Sequence, residues 1–167
     1  VFTRLLRVMA KRRALRLALA RFRRRSAPLR TLSSRELQAL ESLLVDPYSP
    51  RNKPLSLLGH TVYSLEGEYH LDVVGSRENY ALQHMIGPVE VILPFDAGSF
   101  LRDGGNRAEV VLTRRYAVVL RLNDEFELLQ GEQRDRNRQR LEEDWRSGRT
   151  GPLRHVDPQA EGAARQL

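Results

Sequence analysis

Imidazole, carboxylate and hydroxyl groups cluster between His60 and His84, and their types could do metal or hydrolytic chemistry. The histidines are His60, His70, His84 and His155. A zinc site needs three or four convergent ligands. If Glu66-Gly67 turns a hairpin, His60 and His70 face each other with Glu68 and Asp72 nearby, two imidazoles and two carboxylates on alternating strand faces. That set falls short of a closed site, so polar strand residues facing solvent are expected. Ser64, His70 and Asp72 are triad residue types, but no nucleophile-elbow motif accompanies them. The "RDGGNR" stretch from Arg102 lacks the Lys-Ser/Thr of a phosphate loop and opens no helix, so it reads as a hairpin turn. Cysteine is absent. This excludes disulfides, thiolate metal sites and a cysteine nucleophile, and fits a reducing compartment. The expectation is therefore no catalytic residue, no metal and no cofactor.

Charge supplies the stronger signal. The chain of 167 residues has a net charge of +7, with 41% hydrophobic and 29% charged residues. Residues 1–35 hold 12 of the 28 basic residues and no acidic one, so the remainder, with 16 basic and 21 acidic residues, is net −5. A mildly acidic body thus carries a strongly basic arm. Within the arm, Lys11, Arg12, Arg13, Arg16, Arg21, Arg23, Arg24 and Arg25 are the candidate contacts to an anionic surface, either a membrane or a nucleic acid. The alternative to both is a solvated tail with no specific partner. No uncharged apolar run is long enough to span a bilayer or to serve as a secretory signal. The longest in the arm is "LALA", Leu17 to Ala20.

The elements that would position these groups follow from periodicity. The arm has strong helix formers and neither Gly nor Pro, which predicts a helix over 3–24. Its basic residues spread around the wheel, so it is expected to stay exposed, fray or meet an anionic surface rather than pack. "SAPLRT", Ser26 to Thr31, reads as a linker. Ser33 and Glu36 have capping-box spacing, and Leu37, Leu40 and Leu44 share a face, which predicts a helix over 34–45 packed on a sheet. "DPYSPRNKP", Asp46 to Pro54, breaks it. Strands are expected around the Glu66-Gly67 hairpin, with Tyr69, Leu71 and Val73 on one face. "SRENYALQHMIG" fits either a short helix or a loop with Leu82 and Met85 tucked in. "PVEVILP" reads as a strand with Val89, Val91 and Leu93 on one face and Glu90 and Ile92 on the other. "AEVVLT" and "AVVLRLN" read as two strands joined through "RRY". Beyond Leu129 too little apolar surface remains to offset ordering entropy, although residues 133–145 could form a charged helix.

The fold class expected is α+β: a small antiparallel, barrel-like sheet of about five strands with one packed N-terminal helix, a basic N-terminal helix and a disordered C-terminal tail. The expected organisation is a basic arm over 1–30, a helix and small barrel over 31–129, and a charged tail over 130–167.

The block from Arg30 to Glu127 resembles the first cytosolic region of the IgaA (intracellular growth attenuator; UmoB/YrfF) family. The resemblance rests on "ARFRRRSAPLR", "LSSRELQALESLL" and "GPVEVILPFDAGSFLRDGGNRAEVVLTRRYAVVLRLND", whose strand, Pro-Phe loop, turn and two strands keep order and approximate spacing. It covers roughly six-tenths of the chain and carries no invariant chemical motif. It implies a non-enzymatic regulatory module of the cytoplasm, at the cytosolic face of the bacterial inner membrane. There the family restrains the Rcs envelope-stress phosphorelay through protein contacts, so a phosphorelay component is the implied partner. This chain departs from the family in an Arg-filled arm where the family has a spanning helix. The other reading of the residues is a small-barrel nucleic-acid binder. It would use the arm as a clamp and Tyr63, Tyr69, Tyr80 and Tyr116 as stacking platforms.

Overall fold

Alternation of side chains along one long strand explains how the sheet closes. In the computed structural model, which describes residues 2–43, 56–75 and 80–147, the segment Leu57–Gly75 is a single 19-residue strand. It is β2 in the order α1 (Phe2–Arg25), β1 (Pro28–Thr31), α2 (Ser34–Ser42), β2, β3 (Tyr80–Ile86), β4 (Val89–Ile92), β5 (Gly105–Thr113), β6 (Ala117–Leu122), β7 (Phe126–Glu127) and α3 (Leu128–Arg146). A 3-10 turn, Ala97–Phe100, lies between β4 and β5. The first part of β2 pairs with β5 as far as Glu68, and from Tyr69 onward β2 pairs with β3. Because one strand serves two neighbours on opposite edges, the path β2-β3-β4-β6-β5 returns to β2 and closes a five-strand ring. Closure removes the free edges that an open sheet would expose.

The hairpin expected at Glu66-Gly67 is therefore absent. Gly67 is needed for close approach, not for a turn. A Cβ built there would lie 2.7 Å from the Gly87 nitrogen and 2.8 Å from its Cα. The turn is at Gly87 itself, which has φ +55° and with Pro88 connects β3 to β4. The ambiguous segment before it is strand, with Met85 buried and Leu82 half exposed. The segment read as a linker holds β1, which pairs with β2 through Pro28↔Tyr63 and Thr31↔Thr61. A proline is compatible with the first position of a strand.

Among the described residues the sheet has seven strands and is not wholly antiparallel, since β4 and β6 pair in parallel through Val91↔Ala117. A parallel pair needs a longer connection than a hairpin, and the 3-10 turn and β5 supply it. The "RRY" connection does join β5 to β6 as an antiparallel pair. In it Thr113 Oγ1 donates to the Tyr116 carbonyl at 2.8 Å. "RDGGN" turns the chain into β5 but does not link two paired strands.

Alternate residues of all five ring strands build one core, including Leu65, Ile86, Val89, Val91, Val110 and Val119. Each such fully buried Val or Leu contributes about 1.5–3 kcal/mol relative to exposure. Leu93 packs against the same core, and Ile92 belongs to the second. That second core lies under α2, where Ala39 and Leu40 meet Val62, Val111, Val118 and Leu120, with Tyr116 and Leu128.

The capping box forms as expected. Ser33 Oγ accepts from the Glu36 amide, and Glu36 accepts from the Ser33 amide at 2.8 Å. Its carboxylate also takes a bidentate contact from Arg30, Nη1 at 2.8 Å and Nη2 at 2.7 Å, while Arg30 Nε donates to Glu109 at 2.8 Å. This triad ties β1, α2 and β5 together. Residues 44–55 and 148–167 lie outside the described residues. So do the end of the α2 helix predicted to residue 45, the Asp46–Pro54 break, His155 and most of the expected tail.

A polar knot fastens the turn before β5. The buried Asn106 side chain donates to the carbonyls of Arg102 and Gly104, and its Oδ1 accepts from the Arg102 amide and from Asn123 Nδ2. Asn123 in turn donates to the Phe100 carbonyl and accepts from the Arg107 amide. Asn106→Ala leaves several of these groups unpaired and is expected to cost about 2 kcal/mol, read from the denaturant midpoint.

The chain divides into two units, 1–135 and 136–167. α3 starts earlier than the expected charged helix. In the first unit Arg134 Nε donates to Asp96 at 2.6 Å and stacks 5.4 Å above the Phe100 ring. The second unit is described to Ser147 and is helical to Arg146, with an Arg146–Glu142 pair at 3.8 Å and exposed Leu141 and Trp145.

Candidate anion-binding cleft

One helix face decides where the basic arm meets the barrel. Arg16, Leu19, Ala20, Arg23 and Arg24 stand at i, i+3, i+4, i+7 and i+8, one side of α1. Leu19 is 5% exposed and enters the ring core, and Phe22 packs beside it, edge-on to Tyr63 with centroids 6.2 Å apart. The expectation that a helix charged all round would not pack is thus corrected for its C-terminal half. Two apolar residues suffice, because the flanking arginines keep their heads in water while their stems lie along the surface.

Beside this contact is a cleft of about 360 Å³ lined by Arg16, Leu19, Ala20, Arg23, Arg24, Leu58, Leu112 and Arg114. A bulge in β2 between Leu57 and Val62, with Gly59 at φ +123°, brings Leu58 into the lining. Arg114 comes from the β5–β6 connection. Four arginines and four apolar residues thus line it, with no acidic residue among them.

The eight basic residues singled out from the sequence divide sharply. Lys11 pairs with Asp72 at 3.0 Å. Arg12, Arg13, Arg16, Arg21, Arg23, Arg24 and Arg25 are exposed, and none has a hydrogen bond or ion pair from its side chain among the described residues. Three of them line the cleft. Arg114 was not singled out, since only the ring's closure brings the "RRY" turn to the arm. The i, i+3, i+7 spacing of Arg16, Leu19 and Arg23 was the one signal available beforehand.

The histidine and triad candidates are not assembled. His60 and His70 lie on the same strand, ten residues and roughly 30 Å apart. Ser64 is six residues from His70 on that strand, about 20 Å away. His84 Nδ1 lies 2.9 Å from the Tyr69 hydroxyl and its ring stacks on Tyr69. Among the described residues no group of three or more His, Cys, Asp or Glu could hold a metal ion. Of the four tyrosines, Tyr116 is buried, Tyr69 is paired with His84 and Tyr63 packs on Phe22. Tyr80 opens β3. No described helix is long and apolar enough to cross a membrane.

No protein-family model and no curated protein matches the chain. A solved structure described as "Shotgun proteolysis: A practical application" is 20% identical to it, covering 62% of this chain and 96% of its own, with a TM-score of 0.45. A likeness of that size bears on neither family nor function.

Proposed function

We propose that this protein is a non-enzymatic regulatory and interaction module that sits on an anionic surface through the basic face of α1. The observation that carries this reading is the set of exposed arginines of α1 without side-chain partners among the described residues, three of which line one cleft together with Arg114. A folded protein normally answers such a cluster with carboxylates, and no acidic residue lines the cleft. Anionic phospholipid is the surface favoured, because apolar side chains form the floor between the charges. Each Arg near such a surface contributes about 1 kcal/mol. The resemblance to IgaA-type cytosolic modules supports the regulatory part: a module held at the cytosolic face of the bacterial inner membrane that acts by contact with a phosphorelay protein.

Flotation of the full chain with vesicles tests the membrane part. Vesicles of phosphatidylcholine with phosphatidylglycerol are expected to retain the protein at least roughly tenfold better than phosphatidylcholine alone, with the difference shrinking as salt rises. Equal retention on both would remove the membrane reading. Fluorescence anisotropy on single-stranded and duplex nucleic acid, at the same ionic strength, examines the other candidate. Tighter binding there than to anionic vesicles would favour the nucleic-acid binder instead.

A further inference from the structure

We propose that the cleft between α1 and the start of β2 is a binding site for one anionic phospholipid. The phosphate would lie among Arg16, Arg23, Arg24 and Arg114, with the first methylenes of the acyl chains on Leu19, Ala20, Leu58 and Leu112. The proposal rests on the anionic-surface reading above and narrows it from a charged face to a discrete site.

Three features separate this place from the rest of the basic arm. The first is that two elements contribute arginines to the lining. Arg114 belongs to the β5–β6 turn, so the four charges do not simply follow from helix periodicity. The second is the floor. Leu58 is 38% exposed, and Leu19 and Leu112 close the base. A site for a free anion gains nothing from such a surface, whereas a lipid buries methylenes on it at about 0.8 kcal/mol each. The third is size. A space of about 360 Å³ is at the small end of ligand sites, enough for a glycerophosphate head and several methylenes.

The helix end opposes the anion. α1 finishes at Arg25, and the carbonyl end of a helix carries about half a negative charge. Arg23, Arg24 and Arg25 occupy that last turn. They more than offset it, and with Arg16 and Arg114 the local balance stays positive. A guanidinium can present two parallel N–H donors to phosphate oxygens, so an Arg set suits this head group better than a set of lysines would.

The test is a titration of the full chain followed by amide and methyl NMR shifts, using dihexanoyl phosphatidic acid, dihexanoyl phosphatidylcholine and inorganic phosphate below the lipids' micelle concentrations. Saturable shifts at Leu58 and Leu112 with phosphatidic acid, affinity about tenfold weaker for inorganic phosphate, and little response to phosphatidylcholine are expected. Equal affinity for phosphate and phosphatidic acid would overturn the lipid assignment, because the floor would then contribute nothing. Arg114→Gln is compared with Arg115→Gln, an exposed neighbour of equal charge outside the cleft. The first is expected to weaken binding about fivefold and the second less than about twofold. Equal losses would overturn the discrete site while leaving the vesicle result, and with it the broader surface reading, intact.

Discussion

Glu36→Gln is expected to lower the unfolding free energy by about 3 kcal/mol at pH 7, and to lower it progressively less as the solution is acidified. Glu36 is 7% exposed. Burial pushes its pKa up. The hydrogen bonds from Arg30 and from the Ser33 amide and hydroxyl, with the guanidinium charge, outweigh this and hold the pKa at about 2, below its ordinary 4.5. A carboxylate depressed in the folded state adds stability that is complete above its unfolded value. That stability is lost as pH falls from about 4.5 through about 2. The gap between wild type and Glu36→Gln should therefore be widest above about pH 5 and should close toward pH 2. Urea unfolding at pH 7, 4 and 2.5 reads it directly. A gap that does not change with pH would mean that the charge on Glu36 is unimportant and only its shape matters. Arg30 retains Glu109 in the variant, which is why the loss is not larger.

Gly67→Ala is expected to destabilise the barrel by about 3 kcal/mol or more, the upper range for overpacking. The added methyl would meet backbone atoms of Gly87 at 2.7 and 2.8 Å. Backbone cannot swing aside as the end of a side chain can. The Gly87 amide also donates to the Glu68 carbonyl at 2.9 Å, so any retreat lengthens a bond at the point where β2 changes partners. The contact sits on the ring's closure, and hydrogen exchange should rise across β3 and the second half of β2 together. Gly98→Ala is the control. Its Cβ meets nothing within 4 Å, and the variant should stay within about 0.5 kcal/mol of wild type. Equal effects of the two substitutions would rule out the close crossing as the cause.

Local rules were legible wherever the partner lay close along the chain. Ser33 and Glu36 are three residues apart, so their reciprocal cap could be read off their spacing, and the structure contains it. The alternation of Val89, Val91 and Leu93 against Glu90 and Ile92 likewise survives as core and opposite face, with the helix-forming arm and the "RRY" connection beside it. Glu66-Gly67 was misread because glycine serves both a turn and a close crossing, and only the residue across the gap tells them apart. Pro28 was misread for a related reason, since a proline at a strand's first position resembles a linker proline until the pairing strand is known.

The sequence by itself determined a basic helical arm, a capped helix that packs Leu40 on the sheet, and a set of strands able to close a small sheet, because periodicity, capping and charge act over a few residues. Tertiary structure alone decided that β2 runs unbroken between two partners, that β4 and β6 lie parallel and that Arg30 bridges Glu36 and Glu109. It also decided that Arg114 lines one cleft with Arg16, Arg23 and Arg24. Apart from Arg30–Glu36, those contacts join residues dozens of positions apart. Which of them meet is set by closing the ring and burying its two faces, a condition on the whole chain that no short stretch records.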